Sequence, residues 1–100
     1  MAEIIWTEPA LSDLNDIAEY IALENIVAAK QWVQAIFSKV ERLEAFPASG
    51  RIPPELAHLG YREVVVNPCR FFYKQDGDKV LILFVMRAER DLRKFLLSKQ

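Results

Sequence analysis

The chain changes period at Pro47. Before it, apolar residues recur at three- and four-residue spacing, and after Pro54 they fall in short runs rich in valine, isoleucine, leucine and aromatics. A helical period of 3.6 and a strand period of 2 cannot share one element, so this break divides the chain into a helical part and a sheet part. Pro47, Gly50, Pro53 and Pro54 mark the division. Proline removes a backbone donor and clashes with the preceding helical turn, so three prolines and a glycine within eight positions end a helix and define a loop.

The helical part opens on Ile4-Ile5-Trp6, a short strand, followed by Thr7-Glu8-Pro9, which reads as an N-cap with an acid and a proline in the first turn. Leu11, Leu14, Ile17, Ala18 and Ile21 then make an apolar stripe, with Ser12, Asp13, Asn15, Asp16 and Glu19 as an acidic outer face. Asn25 caps a second helix, whose stripe is Ala29, Val33, Ile36, Val40 and Leu43, widened by Trp32 and Phe37. The two helices form a hairpin. Such a stripe serves either a core or a partner helix. It is read here as core, except at Trp32, which is singled out as a partner contact.

In the sheet part, residues 61–66 form a strand broken by Asn67-Pro68, residues 70–74 form a second, and Gln75-Asp76-Gly77-Asp78 turns into a third over residues 79–86. Residues 90–97 read as a short terminal helix carrying Leu92, Phe95 and Leu96. The expected order is β-α-α-β-β-β-α, an α+β fold in which a helical hairpin packs on a small, mainly antiparallel sheet. At 100 residues, 52% of them hydrophobic, the chain suffices for one core, so residues 1–100 are expected to be a single domain.

Several classes of function lack their residues. One cysteine (Cys69) and one histidine (His58) make no familiar metal-site spacing and no disulfide, and there is no glycine-rich nucleotide loop. No metal or cofactor is implied. Cys69 reads as a small buried hydrophobe and His58 as a structural histidine. The longest apolar run, residues 80–86, is far short of the roughly 20 residues that span a bilayer, and no signal-peptide pattern opens the chain, so a cytoplasmic location is expected.

Charge is divided as sharply as period. Residues 1–50 hold three basic against eight acidic side chains, and residues 51–100 hold ten against six. The overall charge of −1 argues against gripping nucleic acid through many phosphates, which needs a strong positive field. What remains is an arginine set, Arg62, Arg70, Arg87 and Arg90, on or beside three neighbouring strands. Sheet pairing would allow them to converge. Converging guanidiniums clamp phosphates or bind an acidic partner; the alternative is that they solvate the sheet and pair with Glu63, Glu89 or Asp91.

Ile4-Ile5-Trp6-Thr7-Glu8-Pro9-Ala10 with Asp13-Leu14, Ile17 and Tyr20-Ile21, then Phe46-Pro47, Gly50-Arg51, Pro54-Glu55 and Tyr61-Arg62-Glu63, then Arg70-Phe71-Phe72-Tyr73, Val80-Leu81-Ile82-Leu83 and Val85-Met86-Arg87, together resemble the RelE/ParE toxin superfamily. The resemblance is nearest to its ParE branch, toxins of type II toxin–antitoxin (plasmid-stabilisation) systems. Each piece is a weak motif; their order and spacing along nearly the whole chain are specific.

The resemblance implies a growth-inhibiting toxin masked by a cognate antitoxin in a hetero-oligomer, with one of two targets. ParE-like members poison DNA gyrase, and RelE-like members are enzymes that cut messenger RNA on the ribosome. In the nuclease branch, basic strand residues act with a histidine or tyrosine near the last strand or tail. Here Arg62, Arg70, Arg87 and Arg90 are the candidate catalytic residues of such a nuclease, but residues 90–100 contain neither histidine nor tyrosine. Arginine stabilises phosphoryl charge but is a poor general base. The expectation is therefore a gyrase poison without catalysis of its own, the ribosome-dependent endonuclease being the alternative and an inactive interaction module a third class. Antitoxin contacts are expected at Trp32, Leu92, Phe95 and Leu96, with acidic antitoxin side chains on the basic second half.

Overall fold

The structure, a computed structural model, describes residues 1–88. Strand β1 (Glu3–Trp6) leads into helices α1 (Glu8–Glu24) and α2 (Ile26–Glu41), and the sheet continues with β2 (Arg62–Val66), β3 (Cys69–Asp76) and β4 (Lys79–Arg87). Short 3-10 turns occupy Arg42–Glu44 and Pro54–Leu56 in the connection between α2 and β2. The terminal helix expected over residues 90–97 lies outside the described residues.

The caps read from the sequence do their work. Thr7 has an extended backbone and its hydroxyl accepts the Ala10 N–H, with Pro9 in the first turn. One residue, Asn25, both ends α1 and starts α2: its N–H donates to the Ile21 carbonyl at 3.0 Å while its side chain accepts from the Ala28 N–H at 3.0 Å. Its extended φ of −155° breaks the helical path, so the hairpin turns on a single residue.

The sheet order is β1-β4-β3-β2, antiparallel except where β1 lies parallel to β4. Thr7 extends that parallel contact, donating its backbone N–H at 3.1 Å and its hydroxyl at 2.7 Å to the Ile82 carbonyl. The β3–β4 turn uses Gly77 at φ 60°, a region open to glycine. A bulge interrupts the β3–β4 ladder, where partners step from Phe72↔Phe84 to Tyr73↔Ile82. Leu83 is the extra residue, and it resets the alternation of β4. Val80, Ile82 and Val85 consequently all reach the helix side, where they join Ile36, Val40, Leu43, Phe71 and Tyr73 in the core. Phe72 and Met86 form a second buried group on the opposite face, with Leu56 and Phe84 against them.

Two residues of α1 depart from the helical stripe. Leu11, expected in the core, is 45% exposed, and Asp13, expected on the acidic outer face, is 9% exposed. The cause is the end of β1. β4 outruns its four-residue neighbour, and the Asp13 carboxylate accepts the Val85 N–H at 3.2 Å, a backbone donor that β1 is too short to meet. α1 is rotated to bring Asp13 to the sheet.

Candidate functional site

Because cross-strand partners share a face, the register decides where each arginine goes. Arg62 pairs with Tyr73 and Arg87 with Cys69, both on the helix side, whereas Arg70 pairs with Val65 and Met86 on the opposite face. Arg62 and Arg87 are four residues apart along β3, about 13 Å at roughly 3.3 Å per residue. Of the two arrangements left open, convergence is not the one that Arg62, Arg70 and Arg87 adopt. Arg62 donates to the Gly50 carbonyl at 2.9 Å, and the Arg87 guanidinium stands 5.4 Å from the centre of the Tyr20 ring on α1. Arg90 lies outside the described residues.

Arg70 is instead the centre of an ion network. Its Nε and Nη2 donate to the two Glu63 carboxylate oxygens at 2.7 and 3.1 Å, and its Nη1 and Nη2 donate to the two oxygens of Glu55, both at 2.9 Å. Two bidentate pairs thus occupy four of the five N–H donors of one guanidinium. Glu63 also accepts from Arg51 Nη2 at 2.9 Å and Nε at 3.2 Å. The network of two arginines and two glutamates is neutral, and its floor is Phe72, whose ring centre lies 4.9 Å from the Arg70 guanidinium carbon.

The network sets the charge states of its members. Hydrogen bonding from Arg70, chiefly, lowers the Glu55 carboxyl to about 2. Burial would raise Glu63, whose side chain is fully enclosed, but the hydrogen bonds from Arg70 and then Arg51 prevail and hold it below the usual carboxylate range. Hydrogen bonds from Glu55 and then Glu63 push Arg70 further up, so it is cationic at any working pH.

Beside this network the loop from α2 is fastened by Tyr73. Its hydroxyl donates to the Pro47 carbonyl at 2.7 Å and accepts the Gly50 N–H at 2.9 Å. Burial, outweighing the Gly50 hydrogen bond, raises the Tyr73 phenol above its ordinary value. It stays neutral and can serve as donor and acceptor together. A Cβ on Gly50 would overlap the Tyr73 ring, 2.6 Å from Cε1 and 2.8 Å from Cζ, so only glycine permits this approach.

Trp32, singled out as a partner contact, is a core residue. It is 8% exposed, with its ring centre 6.3 Å from that of Phe71, because Trp32, Ile36 and Val40 at four-residue spacing form the face of α2 laid on the sheet. Leu92, Phe95 and Leu96 lie outside the described residues. Among the described residues an exposed apolar cluster lies at the turn of the hairpin: Tyr20, Leu23, Ile26 and Val27 are 61, 83, 62 and 58% exposed. It continues into a shallow groove between the helices, about 450 Å³, lined by Ala18, Ala22, Ala29 and Val33. Sequence reasoning missed this patch because Tyr20, Leu23, Ile26 and Val27 all lie off the stripes. It also missed Arg51 and Glu55, whose loop has no period from which a position can be read.

Comparison with known proteins gives one consistent answer. Residues 4–92 match the family model described as the ParE toxin of the type II toxin–antitoxin system parDE. Toxin RelE2 of Caulobacter vibrioides is 35% identical over 79 residues, 77% of this chain and 85% of that protein. Toxin ParE3 of the same organism is 30% identical over 93 residues, 92% of each. A solved structure described as the chromosomal ParDE TA system from P. aeruginosa superimposes with a TM-score of 0.73 at 28% identity, covering 89% of this chain and 98% of that one.

Proposed function

The chain belongs to the ParE toxin family of type II toxin–antitoxin systems, and from that premise we propose that it inhibits growth in the cytoplasm by poisoning DNA gyrase, restrained by a cognate antitoxin. The observation that carries the choice of target is the state of Arg70. To hold a scissile phosphate, its guanidinium would have to release two bidentate carboxylates, one of them fully buried. Exchanging two anions already in place for one phosphate gains little, and freeing Glu63 leaves a buried charge. Among the described residues Arg62 and Arg87 stand too far apart to bracket one reacting phosphate, and a protein that traps another enzyme's cleavage complex needs no such pair.

The antitoxin reading rests on the hairpin turn. Tyr20, Leu23, Ile26 and Val27 with the adjoining groove form an apolar surface that an amphipathic segment covers. The free toxin is then poorly soluble, and co-expression with the antitoxin raises its yield.

The test of the target uses the wild-type chain with Arg70→Ala and Arg87→Ala. Translating ribosomes are assayed for cut messenger and purified gyrase for stabilised DNA cleavage. The expected result is intact messenger and trapped gyrase–DNA complexes with the wild type. A nuclease would lose about 100- to 1,000-fold in rate with a phosphate-stabilising arginine. Codon-phased messenger cleavage that either substitution abolishes, with gyrase unaffected, reverses the assignment in favour of the ribosome-dependent endonuclease.

A further inference from the structure

β2 is an edge strand, and only half of its edge is covered. Arg51 forms an isolated antiparallel bridge with Glu63, exchanging N–H and C=O in both directions at 2.9 and 2.7 Å. Antiparallel alternation then turns the N–H and C=O of Val65 outward too, two residues further on. The residue that would continue the ladder opposite Val65 is Ser49. It does not, because its N–H folds back onto the Phe46 carbonyl at 3.0 Å. In place of the missing rung is an open cleft of about 340 Å³, lined by Lys39, Arg42, Ser49, Arg51 and Val65 among others. The Val65 carbonyl accepts from the Lys39 ammonium at 3.1 Å.

The cleft is cationic. Among the described residues Lys39, Arg42 and Arg51 stand around it and Glu63 is the one acid that lines it, already shared between Arg51 and Arg70. Among the described residues neither Lys39 nor Arg42 forms an ion pair. A lysine at an unpaired strand edge is a common guard against unwanted pairing. Lys39 is exposed and flexible, so it yields to a ligand that supplies a carboxylate for its ammonium and an N–H for Val65.

We infer that this gap is a docking site for an extended, acidic peptide segment of a partner chain, which completes the β2 edge at Val65 and places a carboxylate among Lys39, Arg42 and Arg51. Main-chain bonds supply the affinity common to any extended segment, and the cations select an acidic one. The site is independent of the toxin's target, and gyrase or ribosome assays do not bear on it.

The test uses the full chain from cell-free synthesis and a fluorescein-labelled decapeptide of alternating threonine and glutamate. Three further probes accompany it: the same peptide N-methylated at alternate residues in both registers, and one with lysine in place of glutamate. Fluorescence anisotropy reads affinity, and amide hydrogen exchange reads Val65. The expected result is binding that protects the Val65 amide, is lost on N-methylation in one register, and is absent for the lysine peptide. The double variant Lys39→Ser/Arg42→Ser, checked for an unchanged unfolding midpoint, weakens it by about tenfold or more. No binding at millimolar peptide overturns the inference, as does equal binding of the lysine peptide or a Val65 amide that exchanges unchanged. The probes that alter only the ligand decide the matter even if the double variant fails to fold.

Discussion

The Glu63 carboxylate and the Arg70 guanidinium face each other across β2 and β3 at 2.7 Å, with the acid fully enclosed and the arginine 9% exposed. A buried pair contributes little over a hydrophobic replacement of both members, but removing one member strands the other. Glu63→Gln is therefore expected to destabilise the fold by about 3–5 kcal/mol. Arg51, 63% exposed at the far side of the same carboxylate, should contribute under about 1 kcal/mol when replaced by alanine. Urea unfolding with an unchanged m-value checks both, and equal losses from the two substitutions would refute the ranking.

The same network fixes the acid limb of stability. Glu55 is lowered from 4.5 to about 2 and Glu63 is lowered too, so both folded-state values lie below those of the unfolded chain. Their contribution is fully present above about pH 4.5 and is lost as pH falls toward 2. The unfolding midpoint should decline through that window, and Glu55→Gln should flatten the decline while leaving the slope above pH 5 alone. A Glu55→Gln profile parallel to wild type would contradict the assignment.

Gly50 and Tyr73 should behave as one unit. Gly50→Ala forces a Cβ into the Tyr73 ring, at a cost of about 1–3 kcal/mol. Tyr73→Phe leaves the Gly50 N–H and the Pro47 carbonyl without their partner, also about 1–3 kcal/mol. Since the alanine collides partly with the hydroxyl that phenylalanine lacks, the double variant should cost less than the two losses together. Strict additivity in a double-mutant cycle would count against the contact.

At the hairpin turn, Leu23→Asp and Val27→Asp remove exposed side chains, so stability should stay within about 0.5 kcal/mol of wild type. Antitoxin affinity should drop by about tenfold or more for each, as for anchors of an interface. Calorimetric titration with the antitoxin checks this, and unchanged affinity in both variants would place the antitoxin elsewhere.

What could be read from the sequence was what is decided locally. Thr7, Asn25 and Gly77 mark caps and a turn because each acts on residues within a few positions of itself. Asp13 was misread because its partner, Val85, is 72 residues away, and no helical period encodes a strand that ends one rung early. Whether the arginines converge was not legible for a related reason. Which face a strand residue takes depends on parity, and the bulge at Leu83 changes the parity of β4 midway without a glycine or proline to announce it. Trp32 illustrates a third limit: a stripe shows which residues are apolar, but the breadth of the sheet beneath α2 determines how many it covers.

The parallel contact between β1 and β4 also governs when the molecule comes into being. Thr7 and Ile82, joined at the seam, are separated by 75 residues of synthesis. At about 5–20 residues per second the first strand waits on the order of 4–15 s for its neighbour to be made. Until then the hairpin has no complete sheet to lie on, and the Val85 amide that Asp13 will accept does not exist. A product of interrupted translation that stops short of β4 thus lacks the seam, both faces of the sheet's centre and the finished hairpin surface. The folded domain is therefore assembled only once synthesis has passed Arg87, the last residue of β4.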